Sequence, residues 1–295
     1  MHPLRAERAR SLHRLVGASV LFSVLLSVLV AAAVLGGCSG GSGSPETAQT
    51  GSDRGTAVFA PARSIGEPEA AERDSALAVL MSMQRAVFDS AFARLADRSY
   101  TRRLRTEQID PATGTTIARR EQTVRRDEST GAATVVSTAD SGAAFESGPL
   151  DTFVPTSDPT DVPQNLAESA FPDDPAYLSE RTRESFRYRL RPTTIDGRSA
   201  WTIRIQARPE QGADQSIRYA ELIVLRDSRE LVAASTIRSE NVLLFREESR
   251  MAIRLQSESD GTWLPAETRF RARIDIPFRE AVEFRTVSTY RYAVL

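Results

Sequence analysis

The stretch Phe186-Arg187-Tyr188-Arg189-Leu190-Arg191-Pro192-Thr193-Thr194-Ile195-Asp196-Gly197-Arg198-Ser199-Ala200-Trp201-Thr202-Ile203-Arg204-Ile205-Gln206 decides the fold. Apolar Phe186, Tyr188 and Leu190 alternate with arginines, and Trp201, Ile203 and Ile205 alternate with Thr202, Arg204 and Gln206. A period of two puts each set on its own side of a strand. Between the two runs, Asp196-Gly197 supplies the left-handed backbone that a tight hairpin requires. One face buried and one face wet is the signature of an antiparallel sheet.

The same grammar continues towards the C-terminus. Tyr219–Leu225 and Leu231–Ser239 flank a turn at Arg226-Asp227-Ser228-Arg229. Val242–Phe245 and Met251–Leu255 read as further short strands before a turn at Asp260-Gly261. Phe270, Ala272, Ile274 and Ile276 alternate with charged residues, and Val282, Phe284, Thr286, Ser288 and Tyr290 close the chain with the same period. Strands at such short intervals, joined by tight turns, predict a meander.

Towards the N-terminus the pattern first becomes more polar. Tyr100–Ile109, Thr115–Arg126 and Ala133–Thr138 read as strands separated by Asp110-Pro111-Ala112-Thr113-Gly114 and Ser129-Thr130-Gly131. Arg102, Arg103, Arg105, Arg119, Arg120, Arg125 and Arg126 give this part a strongly basic text, with Glu107, Glu121, Asp127 and Glu128 to balance it. Guanidinium groups of this density suit phosphate, and also suit an internally paired, solvated sheet face. Before them, Leu77, Leu80, Met81, Val87, Phe88, Ala91, Phe92 and Leu95 recur at helical spacing after Pro68. They predict one long amphipathic helix to about Arg98, with Glu67, Glu69 and Glu72 at its positive end. The expected fold class is therefore α+β, mainly antiparallel β, with a meander sheet packed on one long N-terminal helix.

Residues 145–183 interrupt the meander. Pro149, Pro155, Pro159, Pro163, Pro172 and Pro175, with Asp151, Asp158, Asp161, Asp173 and Asp174, forbid regular strands there. Phe153, Leu166, Phe171 and Tyr177 are its apolar anchors. A loop of this length inside a domain is usually functional or disordered, and its acids match no EF-hand spacing.

The first 37 residues are of another kind. Arg5, Arg8, Arg10 and Arg14 precede an apolar run from Leu15 to Leu35, the parts of a secretory signal. The exit, Leu35-Gly36-Gly37-Cys38, resembles the bacterial lipobox. That resemblance implies cleavage before Cys38 and a diacylglyceryl group on its sulfur, with acyl chains contributing about 0.8 kcal/mol of membrane affinity per buried CH₂. Cys38 is the sole cysteine, so a disulfide is excluded. In lipobox proteins an Asp after the cysteine marks inner-membrane retention. Ser39 therefore points to the periplasmic face of the outer membrane. Residues 38–66 are rich in Gly, Ser, Thr, Ala and Pro and read as a flexible tether carrying the lipid on Cys38. The domain is expected over 67–295.

Composition removes most chemistries. All 38 basic residues are arginine, and both histidines, His2 and His13, lie in the signal segment. From residue 38 onward the chain has 34 arginines against 38 acids, no His, no Lys and one Cys. This excludes a Ser-His-Asp triad, a Schiff-base lysine, a P-loop lysine and His-containing metal sites. Only carboxylate chemistry remains open for an enzyme. No cofactor is expected, and mixed charge leaves no nucleic-acid footprint.

An N-terminal helix followed by a long meander on an exported chain resembles the lipoprotein-sorting half-barrel superfamily, the LolA/LolB-like carriers. The text Asp260-Gly261-Thr262-Trp263-Leu264-Pro265, followed by the strand Glu267–Ile276, looks like the late strands of such proteins. The resemblance implies a curved half-barrel whose cavity takes acyl chains or other lipoproteins. Trp201, Ile203, Phe270, Ile274 and Phe284 are then the candidate cavity wall, faced by Leu80, Val87 and Leu95 of the helix. A wall residue such as Phe284 would lose ligand binding more than stability on truncation. The other reading is a non-catalytic adaptor docking on an envelope complex.

Overall fold

A computed structural model describes residues 64–145, 159–160, 166–210, 215–242, 245–275 and 280–292. Residues 1–37, expected to be a signal segment, Cys38 and all but the last residues of the expected tether lie outside them, as do Phe153 and most of the Pro/Asp-rich stretch before Leu166. Among the described residues the strands form two runs of meander joined by the pairing of β1 with β10. Ten antiparallel strands, β1 (Tyr100–Ile109), β2 (Thr116–Arg126), β3 (Ala133–Gly142), β4 (Phe186–Ile195), β5 (Arg198–Ala207), β6 (Ile217–Leu225), β7 (Leu231–Val242), β8 (Phe245–Ser257), β9 (Trp263–Asp275) and β10 (Val282–Tyr292), form one sheet. Their order is 3-2-1-10-9-8-7-6-5-4, so every neighbour except the β1–β10 pair is a sequence neighbour.

The turns form for the reasons legible in their residues. Asp196 (φ 47°) and Gly197 (φ 77°) are both left-handed, which turns β4 into β5 with the twist of the strands. Asp110 accepts hydrogen bonds from the Ala112 amide (2.8 Å) and the Thr113 hydroxyl (2.8 Å) and fixes the β1–β2 turn. The sheet is curved and unclosed. Arg198, at the start of β5, lies over the ring of Trp263, at the start of β9, 5.6 Å from its centroid. Three strands separate β5 from β9 in the sheet, so contact between them requires the sheet to curl.

The long helix is broken in two. Helix α1 (Ala70–Met81) stops at Ser82, α2 (Ala86–Ser90) follows, and Ala93–Asp97 is a 3-10 turn. The cause is tertiary. The amide of Gln84 donates to the Arg229 carbonyl (2.8 Å), and the Gln84 carbonyl accepts from the Leu231 amide (2.9 Å). These bonds to the start of β7 replace helical ones, while Ser82 returns its hydroxyl to the Ala78 carbonyl at 2.9 Å. The apolar stripe still packs inward: Leu80, Phe88, Phe92 and Leu95 are buried with Phe186, Tyr188, Ile203 and Leu222, and Val87 packs against them. Met81, counted in the stripe, is exposed. Val242–Phe245 is likewise not a strand of its own; Val242 ends β7 and pairs with Phe245, which opens β8. That text carries only Asn241 as a turn signal, which is why it reads as a strand. Beyond Leu166 the proline-rich segment folds onto the core. Its anchors Phe171 and Tyr177 are fully buried and α3 (Leu166–Ala170) meets β7 and β8.

The two edges of the sheet differ. Strand β4 is packed by α1. Its outward arginines also reach the acids at the helix start, Arg187 to Glu67 at 2.9 Å and Arg189 to Glu72 at 3.6 Å. Strand β3 is exposed along nine of its ten residues. Asp260, in the β8–β9 turn, ties the sheet to the 3-10 turn by accepting from Arg98 at 2.6 Å and from the Thr262 amide at 2.8 Å. The Thr262 amide first, then Arg98, hold its carboxyl down to about 2, from an ordinary 3.8. Because the folded value is the lower one, the stabilisation is complete above about pH 4 and is lost as pH falls towards 2. The melting-temperature gap between wild type and Asp260→Asn is expected to be constant from neutral pH to about 4.5 and to close below that. A gap that persists at pH 2 would refute the ionic origin.

Candidate functional site

Register assigns every strand residue to one of two faces. The inner face carries the core. On it Leu190, Ile203, Leu222, Ala234 and Ile253 form one line across β4 to β8, and Tyr188, Ile205, Ala220, Thr236 and Met251 form the next. Beyond β8 the same lines change character. Ile253 is followed by Thr268, Ser288, Leu104 and Gln122, and Met251 by Phe270, Thr286, Thr106 and Arg120. One half of the inner face is thus apolar and overlaid by helices; the other is lined by hydroxyls. Both are buried, with Thr106, Thr268, Thr286 and Ser288 all in the interior.

All five sequence-derived wall residues stand on this inner face. They fall into two groups, Trp201 and Ile203 on β5 and Phe270, Ile274 and Phe284 on β9 and β10. Their accessibility separates them further. Ile203 and Phe284 are 0% exposed and Ile274 is 2%, so they act as packing. Trp201 is half-buried, but the Arg226 guanidinium stacks on its ring at 3.8 Å from the centroid. Phe270 is half-buried, and so is Met251 directly across from it. Met251 is the residue that sequence reasoning left out of the wall, although its place in the alternation of β8 gives its face.

Next to this apolar pair the register places Thr286. Its hydroxyl is buried and makes no hydrogen bond among the described residues. A buried donor without a partner costs about 1–3 kcal/mol. Further along β10, Ser288 accepts from Arg102 Nε (3.3 Å) and Nη2 (3.1 Å), and Arg102 Nη1 reaches the Pro159 carbonyl at 3.4 Å. The Arg102 side chain is itself buried and lies 5.8 Å from the centroid of the Tyr290 ring. The site therefore runs from an apolar pair, past an unpartnered hydroxyl, to a buried guanidinium. At its other end Glu247 stands opposite Glu240 and beside Ile274; burial, and then Glu240, hold the Glu247 carboxyl above its ordinary value. Thr286→Val keeps the shape and removes the orphaned hydroxyl. The ligand-free protein is expected to gain about 1 kcal/mol in urea denaturation. A loss of stability would show that the hydroxyl has a partner.

No helix among the described residues is long and apolar enough to cross a membrane. No protein-family model and no curated protein matches the chain. Among solved structures it is similar to a DUF1329 family protein from Desulfovibrio piger, at 11% identity and a TM-score of 0.25, covering 76% of this chain and 94% of that one. It is also similar to a domain named for outer membrane lipoprotein sorting, from Vibrio parahaemolyticus, at 6% identity and a TM-score of 0.24, covering 75% and 94%. TM-scores of this size do not establish a shared fold.

Proposed function

We propose that this is a lipid-anchored envelope protein that binds an acyl chain, of a lipid or of another lipoprotein, against the inner face at Met251 and Phe270. The observation that carries the reading is the half-buried apolar pair on the inner face beside the Thr286 hydroxyl, which has no partner among the described residues. An acyl ligand covers the apolar pair, and its ester or carboxyl oxygen gives Thr286 an acceptor. The lipobox-like Leu35–Cys38 supports a location at a membrane, where such chains are at hand. Binding is proposed rather than catalysis, because residues 38–295 hold no His and no Lys. Solvent extraction of the chain from Ser39 onward, purified without detergent, is expected to release close to one acyl lipid per protein, read by mass spectrometry. Folded protein that carries no lipid, and takes none up on incubation, would defeat the reading.

One observation favours the second reading, a non-catalytic adaptor on an envelope complex. Strand β3 has a bare edge and exposed Val135 and Val136, the form that strand addition uses. Loss of a partner on introducing a proline into β3, with lipid content unchanged, would put that reading first.

A further inference from the structure

The fold sorts the arginine-rich text of β1 and β2, on both faces of the sheet, into engaged and unengaged groups. Arg102 points inward and is buried. Arg105 pairs with Glu107 at 3.6 Å, Arg119 with Glu121, and Arg120 with Asp140 through bonds of 2.9 and 3.0 Å. Arg126 donates to the Ala96 carbonyl at 3.1 Å. Arg103 and Arg125 are left, both exposed and both on the outer face. A third joins them from the far end of the chain. Thr101 on β1 has Arg125 of β2 on one side and exposed Arg291 of β10 on the other, and Arg103 is the next outer-face residue along β1. Diagonal neighbours of this kind lie roughly 7–8 Å apart.

None of these three guanidinium groups has an ion pair or side-chain hydrogen bond among the described residues. Glu121, diagonal to Arg103, is held by Arg119. Like charges set side by side on a sheet repel, so the patch gains from any anion laid across it. Its shape narrows the choice. The three arginines stand on one exposed sheet face without a cradle, which suits a planar array of phosphates better than one enclosed anion, and each fork takes a phosphate bidentately. We infer that Arg103, Arg125 and Arg291 form a docking surface for the anionic head groups of a bilayer. This holds whether or not the inner face binds acyl chains.

The test uses the full chain reconstituted in vesicles, where either acylated Cys38 or the apolar run 15–35 anchors it. Energy transfer from Trp201 and Trp263 to a trace dansyl-labelled head group reports domain-to-surface approach. Transfer is expected to be high in vesicles containing phosphatidylglycerol, low in pure phosphatidylcholine, and low again in about 1 M salt, where screening acts within about 3 Å. Each arginine is worth about five-fold in the docked-to-undocked ratio, so Arg103→Glu/Arg125→Glu loses at least about 25-fold. Arg291→Glu lowers it further. Arg181→Glu/Arg246→Glu, with the same change in charge, leaves it nearly unaltered. Equal transfer in both lipids, insensitivity to salt, or equal loss in the two double variants would overturn the inference. The lipid and salt comparisons need no variant, so a folding defect does not block the test.

Discussion

Truncation of Phe284 to Ala is expected to destabilise the protein by about 3–5 kcal/mol. The ring has no accessible surface, and register sets it between Ala272 and Gln108 on the inner face, both buried. Neither small Ala272 nor hydrogen-bonding Gln108 can collapse into the space, so the lost transfer energy is joined by the energy of an empty cavity. Phe270→Ala, one strand away, removes a ring that is already partly accessible and is expected to cost about 1–2 kcal/mol. The sequence assigns both phenylalanines to one cavity wall with one behaviour; the structure divides them. Urea denaturation of the two variants side by side measures the contrast. Equal losses would mean that Phe270 is packed as tightly as Phe284.

Cys38→Ser is expected to abolish acylation. Metabolic labelling with a palmitate analogue should tag the wild-type chain and fall to background in the variant. No second cysteine exists to take the thioether. Labelling of both to the same extent would remove the lipid anchor from the account, and with it the reason for placing the protein at a membrane surface.

The ten strands were largely legible because two independent signals coincide in them. A period of two names the faces, and residues such as Asp196-Gly197 and Asp110-Pro111 name the turns. The same period put Trp201, Ile203, Phe270, Ile274 and Phe284 on one side, and it also gave the faces of Met251 and Thr286. Three things were not legible. The break at Gln84 depends on backbone partners at Arg229 and Leu231, far away in sequence, and no local signal announces them. The partial exposure of Phe270 against the full burial of Phe284 depends on what packs over each, which alternation does not encode. The arginine patch needs Arg291 diagonal to Arg103, a juxtaposition made by the pairing of β1 with β10 rather than by any neighbour in the chain. Burial on β6 shows the same limit. Its outward Tyr219 and Glu221 are buried because the Tyr219 hydroxyl (3.0 Å) and Arg204 (2.7 Å) both donate to Glu221, an arrangement that alternation reads simply as wet.

Titration of a fluorescent fatty-acid probe into the chain from Ser39 onward, compared with Phe270→Ala and Thr286→Val, tests the central claim most directly. Saturable binding at one site is predicted for the wild type. Phe270→Ala should weaken it at least ten-fold, about 1.4 kcal/mol, while the protein stays folded. Thr286→Val should weaken it as well, in spite of being the more stable protein. A folded wild type that binds no probe, or two variants that bind it as well as the wild type, would contradict the account.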